Sequence, residues 1–263
     1  GVMHDGVIAY PHAIDCVNKL LQLKKKLIII SNTSKRNKVT FDQLVKLGFG
    51  KNNFFEVMTS GEMIWQNLYN KSHKFIKTLG TNCYYLYDKT KKDALKYING
   101  LDYNFVNNIE NADFILGTTL SSGFTTLDYV PLLEKAIKRN IPFVCANPDF
   151  EAFGPTSICM GTIAELYKDF GGKVFIMGKP SISIYMEATR YVKDIDKSKI
   201  LAVGDSIHHD IKGAKTFEVD SLLITSGIHK LYFDAVNPKW ESNNNTLQKT
   251  NITPTYLCTK FQF

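Results

Sequence analysis

Four short polar clusters in this chain carry residue types that together could handle a phosphate group. Asp5-Gly6 follows Val2-Met3-His4, and Ser31-Asn32-Thr33-Ser34 follows the run Leu27-Ile28-Ile29-Ile30. Lys179 stands in Gly178-Lys179-Pro180, and Asp205 and Asp210 stand in Gly204-Asp205-Ser206-Ile207-His208-His209-Asp210. A hydroxyl with unpaired backbone amides at a helix start cradles phosphate. A lysine is a compact positive charge for the same group. Two carboxylates beside a turn offer the oxygen ligands that a hard cation such as Mg²⁺ prefers. Each cluster alone also has an ordinary structural explanation: a serine after a strand is a common N-cap, and Gly-Lys-Pro and Gly-Asp-Ser are common turns. His208 and His209 are adjacent, so they point apart on a helix, and no third ligand is spaced nearby; they read as solvent-facing or packing residues. The order distinguishes the set: hydroxyl, then lysine, then carboxylates, each just after an apolar run.

Strand and helix patterns alternate around these clusters. Pro11 to Leu23 has apolar residues at Ile14, Val17, Leu20 and Leu21, which is helical spacing with proline in the first turn. Leu27–Ile30 reads as a buried parallel strand, and a helix with Val39, Leu44, Val45 and Leu47 on one side should stop at Gly48. Later, Lys173–Met177, Lys199–Val203 and Ser221–Thr225 read as strands, with a helix from Pro180 to about Val192 and a short one carrying Ile211 and Ala214. Between them, strands are expected at Cys83–Tyr87, Phe114–Leu116 and Ile141–Ala146, and helices at Gly61–Leu68, Thr125–Lys138 and Gly161–Phe170. Repeated strand–loop–helix units predict an α/β fold with a parallel sheet and ligands at strand C-termini. Residues 60–172 read as an inserted α/β domain, because so long a segment needs a core of its own; 1–59 and 173–263 form the domain that receives it. The tail after Pro238 is polar and is expected to pack weakly.

Composition narrows the classes. With 263 residues, 44% hydrophobic and 22% charged, the chain is neither collagen-like, disordered nor a coiled coil. No apolar run approaches the roughly 18–20 residues of a membrane helix, so no membrane partner is expected. The first residues do not read as a signal peptide, lacking a basic start before a long apolar stretch. Five scattered cysteines, none in a CxxC pair, argue against a zinc site or disulfide framework and point to a reducing cytoplasm. The net charge of +7 is spread along the chain beside much asparagine. It suits an anionic small substrate, and no motif accompanies it that would indicate a nucleic acid partner.

The ordered set resembles the haloacid dehalogenase (HAD) superfamily of phosphohydrolases, in its class IIA branch with a large inserted cap, the NagD-like and p-nitrophenyl phosphatase-like proteins. Ile28–Ser31 with Asn32-Thr33 is similar to motif II, Gly178-Lys179-Pro180-Ser181 to motif III, and Val203-Gly204-Asp205-Ser206 with Asp210-Ile211 to motif IV. Thr59-Ser60-Gly61-Glu62 and Ala146-Asn147-Pro148-Asp149 are similar to phrases at the cap's entry and within it. The likeness runs to about His229. It implies a Rossmann-like parallel-sheet core with an α/β cap, and a Mg²⁺-dependent phosphatase that hydrolyses a small phosphorylated metabolite through an aspartyl phosphate. It further implies that Ser31 and Asn32 bind the phosphoryl group, that Lys179 neutralises it, that Asp205 binds Mg²⁺ directly, and that Asp210 supports the metal site from behind. Asn147 and Asp149 become candidate substrate contacts, though an Asn-Pro-Asp turn explains them equally well.

The sequence departs from the family at motif I. Gly1-Val2 matches the end of that motif, so the resemblance places the nucleophilic Asp three residues ahead of Gly1 and the acid/base position one residue ahead. Asp5 falls in the hairpin flap that follows and is not expected to be catalytic. A second function class stays open, a non-catalytic HAD-fold member that binds a phosphorylated ligand or a protein. Oligomeric state also stays open, a homodimer through the cap being the arrangement that relatives suggest.

Overall fold

The computed structural model describes residues 1–151, 158–192, 194–230, 233 and 251–263. In chain order the first elements are α1 (Pro11–Gln22), β1 (Ile28–Ser31), α2 (Asn37–Lys46), β2 (Glu56–Thr59), α3 (Ser60–Asn70), β3 (Asn82–Leu86), α4 (Lys92–Lys96), β4 (Asn104–Val106) and β5 (Phe114–Gly117). They are followed by α5 (Thr126–Lys138), β6 (Phe143–Cys145), α6 (Met160–Asp169), β7 (Val174–Ile176), α7 (Ile182–Ala188), β8 (Leu201–Gly204), α8 (Lys212–Phe217), β9 (Asp220–Ile224) and β10 (Tyr256–Cys258). None of the described helices is long and apolar enough to cross a membrane.

The chain divides into two compact units, one of Gly1–Ile29, Phe41–Val57 and Lys179–Phe263, the other of Ile30–Thr40 and Met58–Gly178. In the first unit β8, β9 and β10 form a parallel sheet in the order β10-β9-β8, with Val203 opposite Leu222 and Leu257 opposite Leu223. Ile207, Ile211, Leu223 and Ile252 pack together there. A second cluster joins Val17 of α1 to Leu44 and Phe49. α2 ends as expected. Gly48 takes φ +102°, its N–H bonds Val45 O, and the N–H of Phe49 bonds Leu44 O at 3.1 Å. That is a full left-handed helix stop, sealed by the buried Leu44–Phe49 contact. β1 and β2 make a separate two-stranded sheet.

The second unit is built on a five-stranded parallel sheet in the order β4-β3-β5-β6-β7. Its central strands β5 and β6 are buried along their whole length because both faces are covered. Successive side chains alternate, so Ile115, Phe143 and Cys145 pack with Leu133 of α5 and Ile163 of α6, while Phe114, Leu116 and Val144 pack with Ile64 and Leu68 of α3. Burying one such large side chain contributes about 1.5–3 kcal/mol, so this sheet has a substantial core of its own.

Three expectations differ from the structure. Lys173–Met177 was expected in the receiving domain, but its strand, β7, is an edge of the five-stranded sheet, pairing with β6 through Val144 and Phe175. The helix expected to run to Val192 ends at Ala188; Thr189 turns its hydroxyl back onto Tyr185 O at 2.8 Å, and a short 3-10 turn follows. The tail expected to pack weakly supplies β10 and the buried Ile252, since parallel pairing with β9 covers its apolar residues; residues 239–250 lie outside the described residues.

Candidate active site

In the first unit the chain leaves β8 at Gly204 and turns at once. Ser206 caps a single π-helical turn, Ile207–Ile211, accepting the N–H of His209. Such turns favour functional positions because they re-aim a side chain, and here Asp210 is carried back over the strand end. Its Oδ2 accepts the N–H groups of Ser206 (2.9 Å) and Asp205 (3.2 Å), and its Oδ1 accepts Lys179 Nζ at 2.7 Å. A side chain at Gly204 would overlap the Asp210 carboxylate, so the glycine is what admits this approach. Burial pushes the Asp210 carboxyl upward, but the Lys179 ammonium and the Ser206 N–H outweigh it and hold it below the ordinary carboxylate range. Lys179 and Asp210 therefore form an ion pair, each side chain 14% exposed.

Asp205 stands beside them. Its Oδ2 accepts the N–H of Ile228 at 2.9 Å, and its Oδ1 has no bonding partner among the described residues. A Cβ at Gly1 would overlap this carboxylate, so the backbone at Gly1 runs directly against it. The donor chemistry fits Mg²⁺, which takes one or two carboxylates and fills its remaining positions with water and phosphate oxygen. Asp205 has an oxygen to give, whereas both Asp210 oxygens are occupied by donors. Among the described residues no group of three or more His, Cys, Asp and Glu could hold a metal by itself, so an all-protein cage is not the design.

The sequence pattern did not point to His229. Its Nε2 accepts the N–H of Ile207 at 3.2 Å, and its ring meets His208 edge-on at 6.2 Å. Burial lowers its pKa, His208 adds to the effect, and Asp205 and Asp210 oppose it. No spacing rule links positions 207 and 229. Of the adjacent histidines, His208 is exposed and His209 bonds Ser206 Oγ at 3.2 Å. Asp5 is committed to a hairpin closed by the His4–Ala9 bridge, its Oδ1 accepting Val7 and Ile8 N–H at 2.8 Å each. Those bonds, Ile8 first, hold its carboxyl below the usual range.

The other four candidates lie in the second unit, and the structure brings them together there. Ser31 Oγ accepts the N–H of Thr33 at 3.4 Å, shaping the turn after β1. Asn32, 2% exposed, donates from Nδ2 to Asp149 Oδ1 at 2.8 Å. Asn147 Oδ1 accepts the N–H of Asp149 at 3.0 Å, so the Asn-Pro-Asp phrase is indeed a side-chain-stabilised turn. Gly178, at φ +136°, fits against Asn32 and Pro148, where a Cβ would come within 2.7 Å of both. Thr59-Ser60-Gly61-Glu62 locks the same turn. Thr59 Oγ1 caps α3 through Glu62 N–H at 2.9 Å, Ser60 Oγ donates to Ala146 O at 2.8 Å, and Glu62 receives Arg36 at 2.7 and 3.0 Å. Arg36 also lies over Trp65, 3.5 Å from the ring centre. The sequence reading missed Arg36, since its partner is 26 positions away.

Comparisons with known proteins agree with this architecture. Residues 1–99 match a family model described as haloacid dehalogenase-like hydrolase, and residues 176–262 match one described as HAD-hydrolase-like. A haloacid dehalogenase-like hydrolase from Brucella suis 1330 is 28% identical, with a TM-score of 0.81 over 99% of this chain and 92% of that one. A possible sugar phosphatase of the HAD superfamily from Cytophaga hutchinsonii is 22% identical, with a TM-score of 0.78 over 100% and 91%. The glycerol phosphate phosphatase of Mycobacterium tuberculosis, solved with magnesium, is 20% identical, with a TM-score of 0.66 over 99% and 72%. At those identities the last two likenesses speak for the fold. No curated protein matches the chain in sequence.

Proposed function

The chain belongs to the haloacid dehalogenase-like hydrolases, and from that premise we propose that it is a Mg²⁺-assisted phosphatase of small phosphorylated metabolites. The observation that carries the reading is the Lys179–Asp210 pair at 2.7 Å beside Asp205, at the end of a parallel strand. Phosphoryl transfer asks a protein chiefly for positioning and charge stabilisation. Asp210 anchors the Lys179 ammonium, and through the Asp205 and Ser206 N–H groups it holds the loop that presents Asp205. Lys179 is then the fixed positive charge for the phosphoryl oxygens, and Asp205 holds the cation, which supplies further charge neutralisation when bound. The family resemblance assigns Ser31 and Asn32, in the turn after β1, to the phosphoryl group, the side-chain amide of Asn32 being already bonded to Asp149.

The nucleophile in this reading is an Asp three residues ahead of Gly1. Its carboxylate attacks phosphorus as the ester P–O bond breaks, the leaving oxygen takes a proton, and water then releases inorganic phosphate from the aspartyl phosphate. The closeness of Gly1 to Asp205 supports this, because chain preceding Gly1 would continue beside the cation-holding carboxylate. The phosphatase titles of the Cytophaga and Mycobacterium proteins agree with it.

The test uses protein that includes the residues preceding Gly1 and follows phosphate release from p-nitrophenyl phosphate with and without Mg²⁺. Release that requires Mg²⁺ and falls by about 10²–10³-fold in Asp205→Asn and Lys179→Ala is expected, the size of loss seen when one charge-stabilising group is removed. Turnover that survives both substitutions defeats the reading.

A further inference from the structure

The second unit contains a cavity of about 560 Å³ that the reading above does not use. It begins at Ser34, directly after the Ser31–Thr33 turn, and five of its lining residues are cationic: Lys35, Arg36, Lys91, Lys92 and Lys96. Only one lining residue, Asp93, is acidic. We propose that this cavity is an anion subsite that takes a second anionic group, a carboxylate or a phosphate, on the same small molecule whose phosphoryl group meets the Ser31–Asn32 turn. As a statement about substrate class it rests on the phosphatase reading; as a statement about binding it does not.

Three of the cations already face a carboxylate. Arg36 is committed to Glu62 and Trp65. Lys91 sits 3.6 Å from the buried Asp88, and Lys96 lies 3.8 Å from Asp93 in an exposed pair that contributes little. Lys92 has no ion-pair partner among the described residues. Lys35 reaches solvent at the cavity mouth, yet its stem is walled in closely enough that burial lowers its ammonium pKa, with Asp93 opposing and Lys91 reinforcing. Like charges gathered around a recess focus the field there and favour an anion over water. The floor is less polar: Ala94 is buried, and Tyr97 spends its hydroxyl on Gly61 O at 2.7 Å, presenting ring to the cavity. A site of this size, part apolar with a few charged groups, suits a small organic molecule rather than a bare ion.

Two substrate pairs test the inference, each differing by one anionic group. 3-Phosphoglycerate adds a carboxylate to the frame of glycerol 3-phosphate, and fructose 1,6-bisphosphate adds a phosphate to fructose 6-phosphate. Binding by titration calorimetry should be roughly tenfold tighter for the added-anion member of at least one pair, the gain of a charge-assisted contact. Which pair responds tells carboxylate from phosphate. Lys92→Ala and Lys35→Ala, both at exposed positions that tolerate truncation, should each reduce that ratio toward one. Equal binding within both pairs, a ratio untouched by both substitutions, or no binding of any of the four compounds overturns the proposal. A normal ratio without any phosphate release from p-nitrophenyl phosphate leaves the subsite standing and removes the phosphatase reading instead.

Discussion

Two sheltered ion pairs, Arg36–Glu62 in the second unit and Lys179–Asp210 in the first, share a contact distance of 2.7 Å but are built for different work. Arg36 gives two arms of its guanidinium to one carboxylate and lays its plane on Trp65, while Glu62 also receives the N–H of Asn37 and the amide of Gln66. That is a closed structural network, a planar fork matched to a planar acceptor. In the other pair the cation is a compact ammonium on a flexible stem, and it is the carboxylate that is saturated, by two backbone N–H groups. A lysine ammonium paired with Asp210 keeps the donor geometry of a point charge, which suits a phosphoryl group. Strength of pairing therefore does not mark the candidate site; the identity of the cation and what its partner is fastened to do.

Exchanging the cation should break the comparison most sharply. Lys179→Arg keeps the charge but replaces a point with a bulky fork, and phosphate release should fall about 100-fold while the thermal midpoint moves little. Activity near that of the parent would show that Lys179 serves only to pair with Asp210. Glu62→Gln should act in the opposite sense, costing about 3 kcal/mol by stranding the Arg36 charge. Urea unfolding measures this, and a change under 1 kcal/mol would reduce the network to ordinary surface pairing.

The acid limb sharpens the same contrast. Burial raises the Glu62 carboxyl, but Arg36 and the Asn37 N–H outweigh it, and its folded pKa is lowered overall. The folded state then binds fewer protons than the unfolded chain, so the stabilisation is complete above the ordinary glutamate value of about 4.3 and is lost as pH falls through the depressed one. Stability measured by urea between neutral and acid pH should therefore decline less steeply in Glu62→Gln than in the parent. Parallel curves would rule the pair out as its source. The smallest effect belongs to the cap: Thr59→Ala removes the acceptor for Glu62 N–H and should cost about 1 kcal/mol in thermal unfolding, an unchanged midpoint showing that water replaces the hydroxyl.

Much of the scaffold was legible because its signals are local. Pro11 opens α1, Gly48 closes α2, and the periods of α5 and α6 place both helices within a residue of their observed ends. β2, β4 and β10 were not legible. Each has only three or four residues, and β10 owes its place to a parallel partner some 34 positions earlier, Tyr256 facing Leu222. The candidate site divides in the same way. Order along the chain pointed to Lys179, Asp205 and Asp210, which meet in the first unit because each follows a strand end, whereas Ser31 lies in the second unit.

What order could not supply was the state of each group: that Asp210 is saturated and Asp205 is not, that Asn32 is tied to Asp149 across 117 positions, or that His229 receives Ile207 N–H. Nor could it gather Lys35 and Lys92 around one cavity in a chain where lysine is everywhere. The sequence by itself determined most of the elements, their alternation and the chemistry available at their ends, because helix period, strand period and turn residues act between near neighbours. Tertiary structure alone decided which charges meet and which donors are spent, because a hydrogen bond between distant positions has no existence until the chain closes around it.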